Sequence, residues 1–264
     1  MPQEGLLMLR SALFWSGFCL FLFLEILFPY RPASAPKFRR LVTNMSLAIG
    51  NGLVLNIALW SVMLSVTSLV SERNAGLLNV SGLSAGMKIF LTVVFMDFAI
   101  YVWHLLNHEA PLLWRFHRVH HSDLNMDVST ASRFHPGELA GGGMVKLGVI
   151  YFIGADMAGI VIFESLLVLS AQFHHSCLRV PGRFERFFWI LFVPPSMHRI
   201  HHSVVIRQRN TNYGTILSLW DRALGTLLTK VEQGGIHIGI GAYRRSEGLT
   251  LGRLLAMPFS RVVR

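Results

Sequence analysis

Four long apolar runs constrain this chain more than any other feature. A helix needs about 20 mostly apolar residues to cross a bilayer. Leu6 to Phe28, Leu41 to Val70, Ile89 to Leu106 and Gly143 to Phe173 approach or exceed that length. In hydrocarbon the backbone must satisfy its own hydrogen bonds, which leaves helices for runs of this kind. Composition agrees: of 264 residues, 52% are hydrophobic and only 14% charged, where a soluble domain carries about 25% charged. The mean hydropathy is +0.48. These values exclude an ordinary soluble globule, a disordered chain and a coiled coil. The first run is too long for a cleavable signal peptide, and Phe-Pro-Tyr-Arg-Pro (28–32) follows it rather than small residues. Cys19 and Cys177 lie far apart and supply neither a disulfide framework nor a Cys-based zinc site.

Charge sets the expected orientation. Arg31, Lys37, Arg39 and Arg40 separate the first and second runs, whereas Ser71 to Lys88 carries only Arg73, Lys88 and Glu72. The positive-inside rule puts the first connection in the cytoplasm and the N-terminus outside, with the third run ending in the cytoplasm near His108. The net charge is +10, and thirteen Lys and Arg against four Asp and Glu from Arg179 to Arg264 give +9 of it. In a chain this apolar, such a segment reads as a cytoplasmic face beside anionic lipid rather than a nucleic-acid surface. The fourth run is either one long tilted span or a hairpin turning at Gly154-Ala-Asp-Met-Ala-Gly159. The hairpin is preferred because it returns the flanking histidines to one side. Each arm would have about 13 residues and a length near 20 Å, short of the hydrocarbon core. The expected fold is an all-α integral membrane protein. About three transmembrane helices and an apolar helical hairpin at 143–173 carry a cytoplasmic helical cap that holds the histidines.

Twelve histidines are present, most of them clustered. His104 and His108 form H-x3-H; His117, His120, His121 and His198, His201, His202 form two copies of H-x2-HH; His135 follows Arg133, and His174-His175 closes the fourth run. Positions i, i+3 and i+4 share one helix face, so each cluster presents its rings together. Asp97, Tyr101, His104 and His108 make one polar stripe on an otherwise apolar helix. A carboxylate and a phenol there could orient ligand imidazoles from behind. A lone histidine at a membrane end is an ordinary interfacial side chain. Three clusters beside apolar runs are metal ligands. One ion takes at most about six such ligands and zinc usually four, so eight clustered histidines, with His135, His174 and His175 besides, imply two metals. Imidazole suits iron, zinc and copper alike. A redox pair activating O2 makes iron the choice, with zinc a possible substitute in purified protein.

These residues resemble the membrane-bound fatty acid hydroxylase / sterol desaturase superfamily. The resemblance runs from Asp97 to Thr226. It rests on Asp97-x3-Tyr101-x2-His104, Leu-Trp-Arg-Phe-His-Arg-Val-His-His-Ser (113–122) and Arg133-Phe-His-Pro136. It continues through His-His-Ser-Cys-Leu-Arg-Val-Pro (174–181), Pro-Ser-Met-His-Arg-Ile-His-His-Ser (195–203), Asn212-Tyr213-Gly214 and Trp220-Asp221-Arg-Ala-Leu-Gly225-Thr226. The resemblance implies an integral membrane oxygenase with a histidine-ligated di-iron centre, acting on unactivated C–H bonds of lipids with O2 and electrons from a separate donor. Its ligand positions fall on His104, His108, His117, His120, His121, His198, His201 and His202, with His135 and one of His174 and His175 in addition. His175 fits the family pattern better, although Cys177 stands where Asn is common. Asp97, Tyr101, Asn212, Trp220 and Asp221 are expected behind the ligands, the last three as a lid or brace. Arg118 and Arg199 each follow the first His of an H-x2-HH and are expected at anionic headgroups, at a donor protein, or as simple positive-inside residues. The implied organisation is 1–88 for two transmembrane helices with their loops, 89–230 for the catalytic domain and 231–264 for a basic tail.

His135-Pro-Gly looks like the haem-binding motif of small b-type cytochromes, but apolar membrane sequence follows it directly. No Gly-x-Gly-x-x-Gly fingerprint follows a strand either. The electron donor is therefore expected to be another protein, ferredoxin-like or b-type-cytochrome-like. Hydroxylation of a fatty-acyl or sterol-like lipid is favoured over desaturation. The competing class is a histidine-rich metal-handling membrane protein without oxygenase activity. It would place ionisable residues at mid-span, whereas these histidines gather at span ends. A catalytically silent scaffold is disfavoured by the intact clusters. A short chain without an evident retention signal suggests a bacterial inner membrane.

Overall fold

A computed structural model describes residues 3–261, apart from the side chains at 3, 4, 6, 7, 56 and 57. The start of the first run at Leu6, the side chain of Asn56 and Arg264 of the basic tail lie outside that description. Among the described residues the chain is helical without strands, and only isolated bridges such as Pro29 with Leu178 occur. The long helices are α1 (Gln3–Leu27), α2 (Lys37–Asn51), α3 (Ile57–Glu72), α4 (Ala85–Glu109), α6 (Pro136–Ile153) and α7 (Met157–His175). Shorter ones are α5 (Pro111–His121), α8 (Gly182–Leu191), α9 (Pro195–His201), α10 (Ile206–Arg209), α11 (Leu219–Ala223) and α12 (Leu251–Ala256).

Helix α4 is the axis of the bundle, packed against α5, α6 and α7, while α1 lies on α7 and α3 on α6. Met96, Ile150, Ile153, Ile160 and Phe163 form the buried core between them. Large apolar residues such as Phe23, Ile26, Phe90, Met144 and Phe152 face outward, as a lipid-facing surface requires. Among the described residues, three single helices are long and apolar enough to cross a membrane: Met8–Leu27, Ala85–Glu109 and Met157–His175. Close α4–α6 packing depends on the Gly141–Gly143 run: a Cβ at Gly141 would sit 2.7 Å from the Trp103 ring.

The fourth run is a helical break at the expected Gly/Asp segment. Gly154 closes α6 at φ +73°, where a Cβ would lie 2.5 Å from the Ala75 carbonyl oxygen. Asp156 then caps α7, accepting from Gly159 N at 2.6 Å. The expected arm length of about 13 residues is corrected to 18 and 19 residues. Helix α6 starts seven residues before the apolar run, at Pro136 with His135 as its cap, and α7 alone is long enough to span.

The second run is a bent pair of helices that together are long and apolar enough to cross. It folds as α2 and α3, bent by 45° at a π turn over Gly52–Asn56. The polar residues that interrupt it explain why: Arg40, Asn44 and Asn51 are the buried face of α2. That face points into the histidine-bearing end of the molecule, where Asn44 donates to Asp123 and Ser129, and Asn51 to the Phe134 carbonyl.

Candidate metal centre

The C-terminal ends of α4 and α7, the whole of α5 and α9, and the first turn of α6 meet at one end of the bundle. Proline opens α5, α6 and α9, where its fixed φ starts a helix and its missing N–H costs nothing. Nine buried histidines converge there in two groups. His104, His108, His117, His121 and His201 form the first, and His120, His175, His198 and His202 the second; within each, the candidate ligand atoms all lie within 4.8 Å of one another.

The two H-x2-HH motifs are shared between the groups in opposite senses. On α5, His117 and His121 enter the first group and His120 the second; on α9, His198 and His202 enter the second and His201 the first. An i, i+4 pair therefore serves one group while the intervening histidine serves its neighbour. The expectation that all three rings of a motif point to one place is corrected: each short helix passes between the groups.

Backbone and carboxylate oxygens fix the rings. His104 Nδ1 donates to the Tyr213 carbonyl at 2.7 Å, His201 Nδ1 to the Thr211 carbonyl at 2.8 Å and His175 Nδ1 to the Ala171 carbonyl at 2.7 Å. His117 Nδ1 lies 2.6 Å from Glu138 Oε1. These oxygens only accept, so the proton sits on Nδ1 and Nε2 keeps its lone pair. The Nε2 atoms then crowd in the second group, where an acceptor sets the tautomer of His175 alone. Nε2 of His120 and His175 are 3.1 Å apart, those of His175 and His198 2.9 Å, and those of His198 and His202 3.1 Å. In the first group, Nε2 of His104 and His201 and both nitrogens of His108 are buried without a protein partner.

Burial, then the neighbouring imidazoles, pushes His120, His121, His198 and His202 well below the ordinary histidine range; burial and His104 do the same for His201. Neutral rings with inward lone pairs are the ligand state a metal requires, and a cation within each group would satisfy nitrogens that the protein leaves unpaired. The donor set fits two metals of the borderline class that imidazole prefers.

His135 and His174, expected among the ligands, stand outside both groups. His135 Nδ1 accepts from Gly137 N and its Nε2 lies 3.2 Å from the Leu255 carbonyl oxygen, so both nitrogens serve the α6 cap and the C-terminal segment. The His174 ring sits 4.0 Å from that of His198, and its Nδ1 is buried without a protein partner.

Asp97 and Tyr101 are buried on the site face of α4, but they do not touch the imidazoles. Asp97 accepts from Ile216 N, Leu217 N and Trp220 Nε1, the last at 2.8 Å. Asp221 accepts from Tyr213 N and Gly214 N at 2.8 Å and from Thr226 Oγ1 at 2.6 Å, and Thr226 in turn meets Tyr101 Oη at 2.8 Å. Asn212, at φ 58°, bonds Met197 O and both backbone groups of Leu228. Together they clamp the 212–228 loop onto α4, and through the Tyr213 carbonyl the loop sets the His104 ring.

Arg118 and Arg199 are both buried rather than lipid-facing. Arg118 donates to the carbonyls of Met257, Ser260 and Arg261 and so straps the C-terminal segment over α5. Arg199 lies 3.8 Å over the Tyr30 ring and donates to Gln233.

Glu138 was not singled out in the sequence. Its signal was the one acid of a largely apolar helix, in its first turn, where an ionisable group marks a functional position. Replacing it with glutamine keeps a hydrogen-bonding oxygen but loses the charge behind His117. Glu138→Gln is expected to weaken metal retention about 10- to 100-fold, read by competition with a chelator; unchanged retention would remove Glu138 from the site.

A fatty acid hydroxylase family model matches residues 89–226, just over half the chain. Ornithine lipid hydroxylase OlsE of Rhizobium tropici is 32% identical over 177 residues, 66% of this chain and 51% of that protein. Alkylglycerol monooxygenase of Xenopus tropicalis is 30% identical over 144 residues, 54% of this chain and 31% of its own length. Cholesterol 25-hydroxylase of Rattus norvegicus is 26% identical over 234 residues, 82% and 74% of the two chains. The chain thus spans about half the length of the first of these relatives and under a third of the second. No solved structure matches it. The matched segment contains all nine histidines of the two groups together with Asp97, Glu138 and Asp221, and the chain belongs to the fatty acid hydroxylase family.

Proposed function

We propose that the two histidine groups hold two iron ions and that the protein is a membrane oxygenase. It hydroxylates an unactivated C–H bond of a lipid, fatty-acyl or sterol-like, using O2 and electrons from a separate ferredoxin- or b-type-cytochrome-like donor. The observation that carries this reading is the pair of adjoining imidazole groups at one end of a membrane bundle, with lone pairs turned inward. When bound, the redox-active metals would supply the electrons and oxygen chemistry that side chains lack. The chain's residues do the rest. Tyr213 O, Thr211 O, Ala171 O and Glu138 hold protons on Nδ1 so that Nε2 faces the site. Burial of the rings keeps bulk water away. The outward apolar surfaces of α1, α4 and α7 admit a lipid sideways from the bilayer.

Hydroxylation is favoured over desaturation, in keeping with relatives named as hydroxylases and monooxygenases. We place the site on the cytoplasmic side of a bacterial inner membrane, because the basic 31–40 connection lies at the histidine end, where Arg40 bonds Asp123 and Asp127. The test is direct. Protein expressed in iron-rich medium is expected to carry close to two metals per chain. Lipid extracts of producing cells are expected to gain a species heavier by one oxygen, absent without the gene. A single metal, or none, in folded protein would overturn the two-metal centre. Identical lipid extracts from cells also making a reductase and ferredoxin would overturn the oxygenase reading.

A further inference from the structure

A cavity of about 390 Å³ opens just past the ends of α1 and α7, lined among others by Tyr30, Arg31, Arg179 and Glu185. Its level in the bundle is fixed by the chain. Helix α1 ends at Leu27 and α7 at His175. Immediately beyond, Tyr30 N donates to the Cys177 carbonyl and Arg179 N to the Phe28 carbonyl, both at 2.8 Å. The cavity therefore sits where two spans leave the hydrocarbon together, at headgroup depth.

Its surroundings are amphipathic in the manner of a lipid interface. Ile26 is 60% and Phe28 57% exposed on the α1 side; Phe187 is 68% and Ile190 63% exposed on α8. No residue of α8 is buried, and Arg183 and Arg186 each lie one turn before an exposed apolar residue, Phe187 and Ile190. A short, fully surface-lying helix that mixes arginines with large exposed apolar side chains suits the plane of an interface.

The cavity's charge is positive. Arg31 uses Nη1 on the Ile236 carbonyl at 2.7 Å, which fixes the guanidinium and leaves its other N–H groups for a ligand. Arg179 is exposed at the rim. Glu185, the acid in the lining, accepts from Ser196 N at 3.1 Å. Behind Tyr30 the buried Arg199 adds a third guanidinium, stacked 3.8 Å from the ring. Forked guanidiniums are matched to phosphate oxygens.

We propose that this cavity binds the phosphate of an anionic lipid headgroup, with the acyl chains lying along the exposed apolar faces of α1 and α8. Free phosphate shares the chemistry, but the flanking apolar surface has a use only for a lipid. The inference rests on the bundle spanning a bilayer and not on the metals, so its failure and that of the oxygenase reading are separable.

The full chain is reconstituted in phosphatidylcholine nanodiscs and titrated with fluorescent phosphatidylglycerol, with fluorescent phosphatidylcholine as the neutral control. Preference for phosphatidylglycerol is expected, falling about tenfold or more in Arg31→Gln/Arg179→Gln, with the neutral lipid unaffected. Arg179→Glu, at an exposed position, gives the same loss without disturbing a half-buried residue. Arg183→Gln, outside the lining, leaves binding near wild type. Equal binding of the two lipids, or wild-type affinity in Arg179→Glu, would overturn the site. Displacement by millimolar inorganic phosphate as complete as by unlabelled phosphatidylglycerol would overturn the lipid as its source.

Discussion

Alanine at His121 is expected to leave about one metal per chain and no measurable lipid oxidation, and alanine at His198 to do the same through the other group. The physical reason is the crossed use of the two motifs. His121 belongs to the group of five and His198 to the group of four, so each substitution opens one group and leaves the other intact. Activity is expected to fall about a thousandfold or more in either variant, because residues that act as a unit lose nearly everything at the first deletion. For the same reason the double variant is expected to be little slower than either single one, while its metal content falls further. Elemental analysis and turnover on the same preparations check this. Full turnover in either variant would break the two-group assignment, and loss of both metals in each would show that the groups fill as one. His135→Ala is the contrast: its ring nitrogens are engaged by Gly137 N and the Leu255 carbonyl, so metal content is expected to stay near two.

The membrane helices and most of the histidine set were legible because both are written in side-chain type and spacing. The stripe Asp97, Tyr101, His104, His108 lies on one helix, α4, as its period requires, and its ends meet the loop and the metal site. What spacing could not carry was the division of a motif between two partners. On a helix, i+3 and i+4 lie about 60° and 40° to either side of i and so about 100° from each other, enough for His120 and His121 to enter different groups. Backbone acceptors were also invisible: the carbonyls that set His104 and His201 belong to Tyr213 and Thr211, whose side-chain type says nothing about that use. Asn44 and Asn51 count against a span by hydropathy, which scores residues and not the direction they face. In the structure they are the reason α2 packs inward. Arg118 and Arg199 misled in the opposite way, since surface charge and buried charge have the same letter in a sequence.

Asp123→Ala is expected to destabilise the folded protein by about 3–5 kcal/mol. The carboxylate closes a buried network at the end of α5, two residues after His121. Its Oδ1 takes Arg40 Nε at 2.5 Å and its Oδ2 takes Arg40 Nη2 at 2.9 Å, Asn44 Nδ2 at 3.1 Å and Thr130 Oγ1 at 2.9 Å. Arg133, fully buried beside it, donates to the Val119 carbonyl, Ser122 Oγ and Asn44 Oδ1. Burial alone would raise the Asp123 carboxyl; Arg40 and Arg133 override it and hold the group below the usual carboxylate range. Removing the carboxylate leaves two buried guanidiniums with Asp127, bonded to Arg40 Nη1 at 2.7 Å, as their nearest compensation. The loss corresponds to a fall in Tm of about 5–10 degrees for a chain of this size, measured by thermal unfolding in detergent. Asp127→Ala should cost less, since it removes one Arg40 contact where Asp123 removes two. The metal supplies the discriminating readout. Because the network fixes the C-terminal end of α5, where His120 and His121 sit, added iron should recover part of the lost stability in Asp127→Ala and less of it in Asp123→Ala. Equal Tm for Asp123→Ala and wild type would mean that α5 is held by its histidines alone.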